Sequence, residues 1–304
     1  MLSIAIGLFA GIAVQALYKG MMKSRVRNVI DTEVGHLQLH DTNFKKDYEP
    51  MFVLNNGSEL LQAISKIPAV KLVSARSITN GMLGTATGSA GVQINGVIPE
   101  QEYEVSQLKK KIVEGNVFDT AKKYQVMIGK KLANKMKLKT GSKLVLTFTD
   151  SSSSIVSGAF RVAAIYQSAN APLDERNVYV AMQDMNELLT TGNSFHEIAL
   201  LLNKDEDVPI VQQQLKQQFP GYSIESWKEI SPETDLMVNT TDQMSYIIMV
   251  IIMFALAFGI INTMLMAILE RTREIGMMVA LGTNKIKIFF LVLLETIFLT
   301  LAGA

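Results

Sequence analysis

The sequence predicts a membrane protein in which transmembrane α-helices carry a large α+β extracytoplasmic domain. Three observations predict it. No charged side chain occurs between Asp242 and Glu270. Two more apolar runs lie at the ends: 1–17 has no charge before Lys19, and 288–304 contains only Glu295. Between them, residues 18–242 hold most of the charge and most of the turn signals.

Residues 1–17 form the first predicted span. Val14, Gln15 and Ala16 fit a small-x-small cleavage site, but no Lys or Arg precedes the apolar run. That favours a membrane helix with a truncated start over a signal peptide. Ser3, Gly7, Gly11 and Gln15 recur every four residues, which places them along one side of a helix.

Residues 18–242 are expected to fold outside the membrane, on helical stalks at 18–32 and 231–242. Strands are expected at 33–40, 70–78, 92–98, 126–129, 144–148, 160–166, 177–180, 197–202 and 222–227. Helices are expected at 59–67, capped by Ser58 and ended by Pro68, and at 100–113, 130–136, 182–189 and 208–219. The Gly/Ala/Ser/Thr-rich stretch 81–91 is either a loop or a weak strand pair. The serine run 151–154 reads as an exposed hairpin tip. This alternation indicates an α+β domain with two lobes. Ser231 can cap the second stalk and Pro232 can occupy its first turn.

Residues 243–269 form the second predicted span. They reach about 40 Å at ~1.5 Å per residue, against a hydrocarbon thickness of about 30 Å. Backbone amides in lipid must pair internally, so a helix is required. The alternative is a core helix of a soluble protein, which is rarely apolar all round for so long. Ala255, Gly259, Thr263 and Ala267 form a small-residue row that allows another helix to approach closely, and Asn262 beside it needs a hydrogen-bond partner. A loop at 270–285 leads to a third span at 286–304, again truncated. Glu295 is its one carboxylate, a costly group in lipid unless it snorkels or pairs with a loop cation such as Lys287.

Short loops vote on orientation. Arg271, Arg273, Lys285 and Lys287 place 270–287 in the cytoplasm, although Lys19, Lys23, Arg25 and Arg27 then lie outside.

Enzymatic and nucleic-acid functions find little support. The net charge of +1 argues against a nucleic-acid binder. Cysteine is absent, so there is no disulfide framework. Of the three histidines, His36 and His40 have a helical metal spacing. On the strand expected there they stand ~13 Å apart on a solvated face. No nucleophile elbow appears. GTATG at 84–88 lacks the Gly-Lys-Ser/Thr ending of a phosphate loop. At 129–131, GKK has Tyr124 where the first glycine belongs and Lys131 where the Ser/Thr belongs.

At 265–282, with ERTREIGMMVALG at 270–282, the chain resembles the FtsX-like permeases, the membrane subunits of MacB-type ABC transporters. VLLET at 292–296 resembles the leucine-leucine-glutamate step of the family's third helix. The segments 126–138 with Gly141, 160–166, 177–189 and 197–202 resemble the MacB-like periplasmic core. GHLQLH at 35–40 is nearest the lipoprotein-releasing (LolC/LolE-like) branch. Family members carry a cytoplasmic helix before the first span and a fourth span at the end.

The resemblance implies a permease subunit in the bacterial inner membrane, multi-pass, with its large domain in the periplasm. It implies a separate ATP-binding subunit that holds ATP and Mg²⁺, so no catalytic, cofactor or metal site is expected in this chain. The expected coupling contacts are Glu270, Arg271, Arg273 and Glu274 for charge, and Ile275, Met278, Val279 and Leu281 for apolar burial. Gly276 permits close backbone approach, and Gly282 ends the helix. Expected partners are the ATP-binding subunit, a second permease copy or sister permease, the lipid bilayer, and lipoprotein cargo or a periplasmic carrier, with no nucleic acid. The function implied is mechanotransmission for lipoprotein release. Alternatives are export of a small molecule or peptide from the periplasm, regulation of a cell-wall hydrolase, and membrane-anchored sensing. The length of 18–242 argues against the hydrolase regulator, and the short 270–285 loop against the sensor.

Overall fold

In the computed structural model of the chain, residues 2–119, 121–168 and 170–303 are described. The chain divides into two compact units, Met1–Ser24 with Glu233–Ala304, and Arg25–Pro232.

The first helix, α1 (Leu2–Val29), continues unbroken from the apolar run through the predicted stalk. Arg27 in its last turn complements the negative end of the helix dipole. A wide turn at Ile30–Val34 follows, closed by the Gly35 N–H donating to Ile30 O at 2.9 Å. Gly35 has φ +71°, and a Cβ there would stand 2.7 Å from Leu200 O. Only glycine fits so close a backbone approach. The strand expected at 33–40 is therefore shorter, and β1 spans Leu37–Asp41. Its N-terminal part is taken by the turn.

Next come α2 (Phe44–Asp47), α3 (Gly57–Ser65), β2 (Val70–Thr85), β3 (Gly88–Val97), α4 (Pro99–Val105) and β4 (Ile112–Gly115). They are followed by β5 (Gln125–Gly129), α5 (Lys130–Met136), β6 (Lys143–Thr149), β7 (Ile155–Tyr166), α6 (Ala171–Arg176) and β8 (Asn177–Ala181). The domain ends with α7 (Met182–Leu189), β9 (Glu197–Leu202), α8 (Val208–Gln218), β10 (Tyr222–Ser226) and α9 (Trp227–Ile230).

Two expectations are corrected and one open choice is decided. Asn56, in the left-handed region, precedes α3, and Ser58 lies inside the first turn. The helix expected at 100–113 splits, because Gln107 adopts φ +53° and breaks it; its end becomes edge strand β4, paired with β7. Of the two readings of 81–91, the strand pair is the one found: β2 and β3 form a long hairpin from Arg76↔Val97 to Thr85↔Gly88. Glycine serves packing there, since a Cβ on Gly81 would stand 2.6 Å from Thr147 O.

All ten strands form one mixed sheet. β10, β1, β9 and the first half of β2 make an antiparallel lobe. Leu37, Leu39, Ile198 and Leu200 pack there against Leu60 and Ile64 of α3 and Val211 and Leu215 of α8. The second half of β2 enters a ring, because β2–β3, β3–β8, β8–β5, β5–β7, β7–β6 and β6–β2 all pair. Closure removes free edges from these strands. The ring's core holds Leu83, Ile94, Ile128, Leu144 and Phe160, plugged by Leu132 and Met136 of α5. The serine run forms the turn joining β6 to β7, as expected.

After α9 the chain enters α10 (Pro232–Glu270), 39 residues long. Pro232 opens it, and Glu233 and Asp235 stand in its first turn, where the helix dipole favours acids. Two helices remain, α11 (Thr272–Ala280) and α12 (Lys285–Gly303). Among the described residues, α10 is the helix long and apolar enough to cross a membrane. Only 6 % of its most apolar window is buried, so it is not a core helix of a soluble fold.

Candidate coupling site

The segment after α10 is built by local sequence rules. The helix breaks at Arg271, with φ −100° and ψ 17°. Thr272 Oγ1 donates to Leu269 O across the break. α11 then runs to Ala280 and stops in a Schellman arrangement. The Thr283 N–H donates to Met278 O and the Gly282 N–H to Val279 O, both at 3.0 Å. Gly282 supplies the required positive φ, +85°. Asn284 then starts α12, its Oδ1 accepting from the Ile286 N–H at 3.0 Å. A nine-residue helix is thus pinned at both ends by short turns.

The faces of α11 are distinct. Ile275 and Met278 are partly covered, whereas Glu270, Arg271, Arg273, Glu274, Gly276 and Val279 are exposed. Leu281, just past the end of α11, is 86 % exposed. A Cβ on Gly276 would meet nothing within 4 Å. Across the segment, Arg271 Nη1 lies 2.5 Å from Glu295 Oε1 on α12. The partner of Glu295 is therefore Arg271 and not Lys287. Ile288, in the first turn of α12, is buried.

The packing rows fall out unevenly. Gly11 and Gln15 meet α10: a Cβ on Gly11 would stand 2.7 Å from Ile252 Cδ1, and Gln15 Nε2 donates to Ser245 O at 3.4 Å. Gly7 is exposed. On α10, Gly259 is partly covered, while Ala255, Asn262 and Thr263 are exposed. Thr263 Oγ1 donates to Gly259 O within the helix at 2.8 Å. The side chains of Ser3 and Ala267 lie outside those described.

Sequence reasoning missed a buried polar cluster in the domain. Arg76 is placed where β2 leaves one lobe for the other, opposite both Glu197 and Val97. It donates to Glu102 of α4 through Nη2 at 2.8 Å and Nε at 2.9 Å, and to Glu197 at 3.2 Å. Ser74 Oγ donates to the same Glu102 at 2.8 Å. Burial alone would raise the Glu102 pKa; the Arg76 guanidinium outweighs it and holds the carboxyl below its ordinary range.

His36 and His40 are also misplaced by sequence. Both are buried, and His36 stands just before β1, so they do not form a solvated strand face. His36 Nε2 donates to Asp205 at 2.9 Å while Nδ1 accepts from the Leu202 N–H. No signal in the sequence marks these pairings, because the partners are remote along the chain. Among the described residues no group of three or more His, Cys, Asp or Glu is gathered in metal-holding geometry.

Comparison with known proteins follows this division of the chain. Residues 1–218 match the MacB-like periplasmic core domain, and residues 246–304 match the FtsX-like permease C-terminal region. The chain is 24 % identical over its whole length to the macrolide export ATP-binding/permease protein MacB of Aggregatibacter actinomycetemcomitans, spanning 48 % of that protein. It is 22 % identical over 92 % of its length to the lipoprotein-releasing system transmembrane protein LolC of Neisseria meningitidis, spanning 68 % of that protein. Among solved structures, it resembles the periplasmic region of MacB from Actinobacillus actinomycetemcomitans, at TM-score 0.47 and 15 % identity, over 73 % of this chain and 98 % of that one.

Proposed function

Because the chain belongs to the MacB/FtsX-type ABC transporter permease family, with a MacB-like periplasmic domain of mixed α/β fold, we propose that it converts ATPase motion into movement of that domain. In this reading it is a multi-pass inner-membrane subunit. α1, α10 and α12 are its spans, and residues 25–232 lie in the periplasm. An ATP-binding subunit docks on α11 and holds ATP and Mg²⁺. Closure of two such subunits moves the two α11 segments of a permease pair, and α10 carries the displacement outward as one unbroken helix. No cargo need cross the bilayer through the spans.

The observation that carries this reading is α11 itself. It is short, pinned at both ends, exposed at its charged residues with Ile275 and Met278 partly covered, and set directly after the long apolar α10. The exposed charges Glu270, Arg271, Arg273 and Glu274, followed by the exposed Val279 and Leu281, are what a partner's groove would cover. Lipoprotein release is the preferred task, supported by the LolC relative and the GHLQLH segment at 35–40. Export of a small molecule is the second reading, supported by the MacB relative.

The test is co-purification. Glu274→Lys with Gly276→Trp reverses a charge and fills the space beside Gly276, where a Cβ would meet nothing within 4 Å. It is expected to reduce recovery of the ATP-binding subunit about tenfold or more, ~1.4 kcal/mol, while circular dichroism shows the domain still folded. Normal recovery would refute docking at α11.

A further inference from the structure

Arg271 is both the break between α10 and α11 and the origin of a cross-helix ion pair. Its backbone leaves the helical range at this one residue. Its guanidinium stands 2.5 Å from Glu295 Oε1, 24 residues further along. Two carboxylates nearer in sequence, Glu270 and Glu274, also act on Arg271. Glu295 acts on it most strongly, through its hydrogen bond first and its charge second. Glu295 needs the contact more, since a carboxylate in an apolar run is costly unless paired. Glu295 lies about 15 Å along α12 from Lys285, at ~1.5 Å per residue. The ion pair therefore brings a point about three turns into α12 level with the break at Arg271. The pair fixes how deep α12 sits against the hinge and which way it is turned.

We infer that Glu295 is a positioning residue, whose carboxylate holds Arg271 and so sets the angle at which α11 meets the ATP-binding subunit. This rests on the docking role of α11 proposed above. Its test separates the two. Hydrogen exchange at the 272–281 amides is measured on the full chain in nanodiscs without any subunit, for wild type, Glu295→Gln, Arg271→Gln and the double variant. Glu295→Gln is expected to speed exchange about threefold, the factor a half-exposed ion pair supports. The double variant should exchange no faster than Arg271→Gln alone, because Glu295→Gln then has no further contact to remove. With the subunit added, Glu295→Gln is expected to retain it yet lower coupled ATP turnover about fivefold, and Glu295→Asp should recover part of that loss. Unchanged exchange in Glu295→Gln, or additive effects in the double variant, would overturn the inference. Failure of wild type to retain the subunit would sink the docking reading alone, and exchange would still decide the ion pair.

Discussion

His196 is held neutral by its surroundings. It is fully buried, its ring stacks on Phe44 at 4.9 Å, Nδ1 accepts from the Ile78 N–H at 3.0 Å, and Nε2 donates to Pro50 O at 3.1 Å. Burial lowers its pKa from 6.5 to about 4, with the Pro50 carbonyl partly opposing the shift. The unfolded chain therefore takes up a proton before the folded one as pH falls. Stability linked to His196 is complete above pH 6.5 and is lost as pH drops towards 4, on the order of 3 kcal/mol. Urea midpoints at pH 7, 5 and 4 should fall in wild type and fall less in His196→Gln. Equal slopes would show that His196 does not govern acid stability. Nothing in the sequence marked this residue, nor Arg76 with Glu102 and Glu197. A lone histidine and three scattered charges become a set only when strands far apart in sequence pair. The Arg76 cluster stands where β2 serves both lobes, so its geometry fixes the junction, and a missing partner there would leave a buried charge.

At the scale of elements, legibility followed local chemistry. The helices at 130–136 and 182–189 and the strand at 197–202 matched their expected bounds, because apolar spacing and turn residues agreed. The reading failed where a backbone conformation decided the matter. Gln107 in the left-handed region broke a polar helix that propensity alone would have continued. The glycines at 81–91 left a loop and a weak strand pair both open, and Gly81 is there to let strands approach. Gly35 is the clearest case, and the GHLQLH segment gains a physical reason from it. Gly35→Ala must strain φ +71° and push against Leu200 O at 2.7 Å. The left-handed strain costs about 1 kcal/mol, and a domain of this size loses ~2–4 °C per kcal/mol. Thermal unfolding should therefore fall by at least ~2 °C. An unchanged midpoint would mean the turn after α1 adjusts freely.

For the whole molecule, the division into a unit of apolar helices and a folded domain was legible because apolar runs and charged blocks are long and unmixed. The closed ring of strands was not, since hydrophobic periodicity carries no record of which strands pair. Topology is the property on which the proposed mechanism stands, and it can be tested directly. α10 is about 58 Å long at ~1.5 Å per residue, enough to cross ~30 Å of hydrocarbon with several turns to spare. Residues 151–154, in the domain that precedes α10, should then face the periplasm, and α11, which follows it, the cytoplasm. The chain has no cysteine, so single substitutions report without background. Ser152→Cys and Met277→Cys are both at exposed positions. A membrane-impermeant maleimide applied to spheroplasts should label Ser152→Cys at once and Met277→Cys only after permeabilisation. Equal labelling of the two before permeabilisation would place α11 on the same face as the domain, where no cytoplasmic ATPase could drive it.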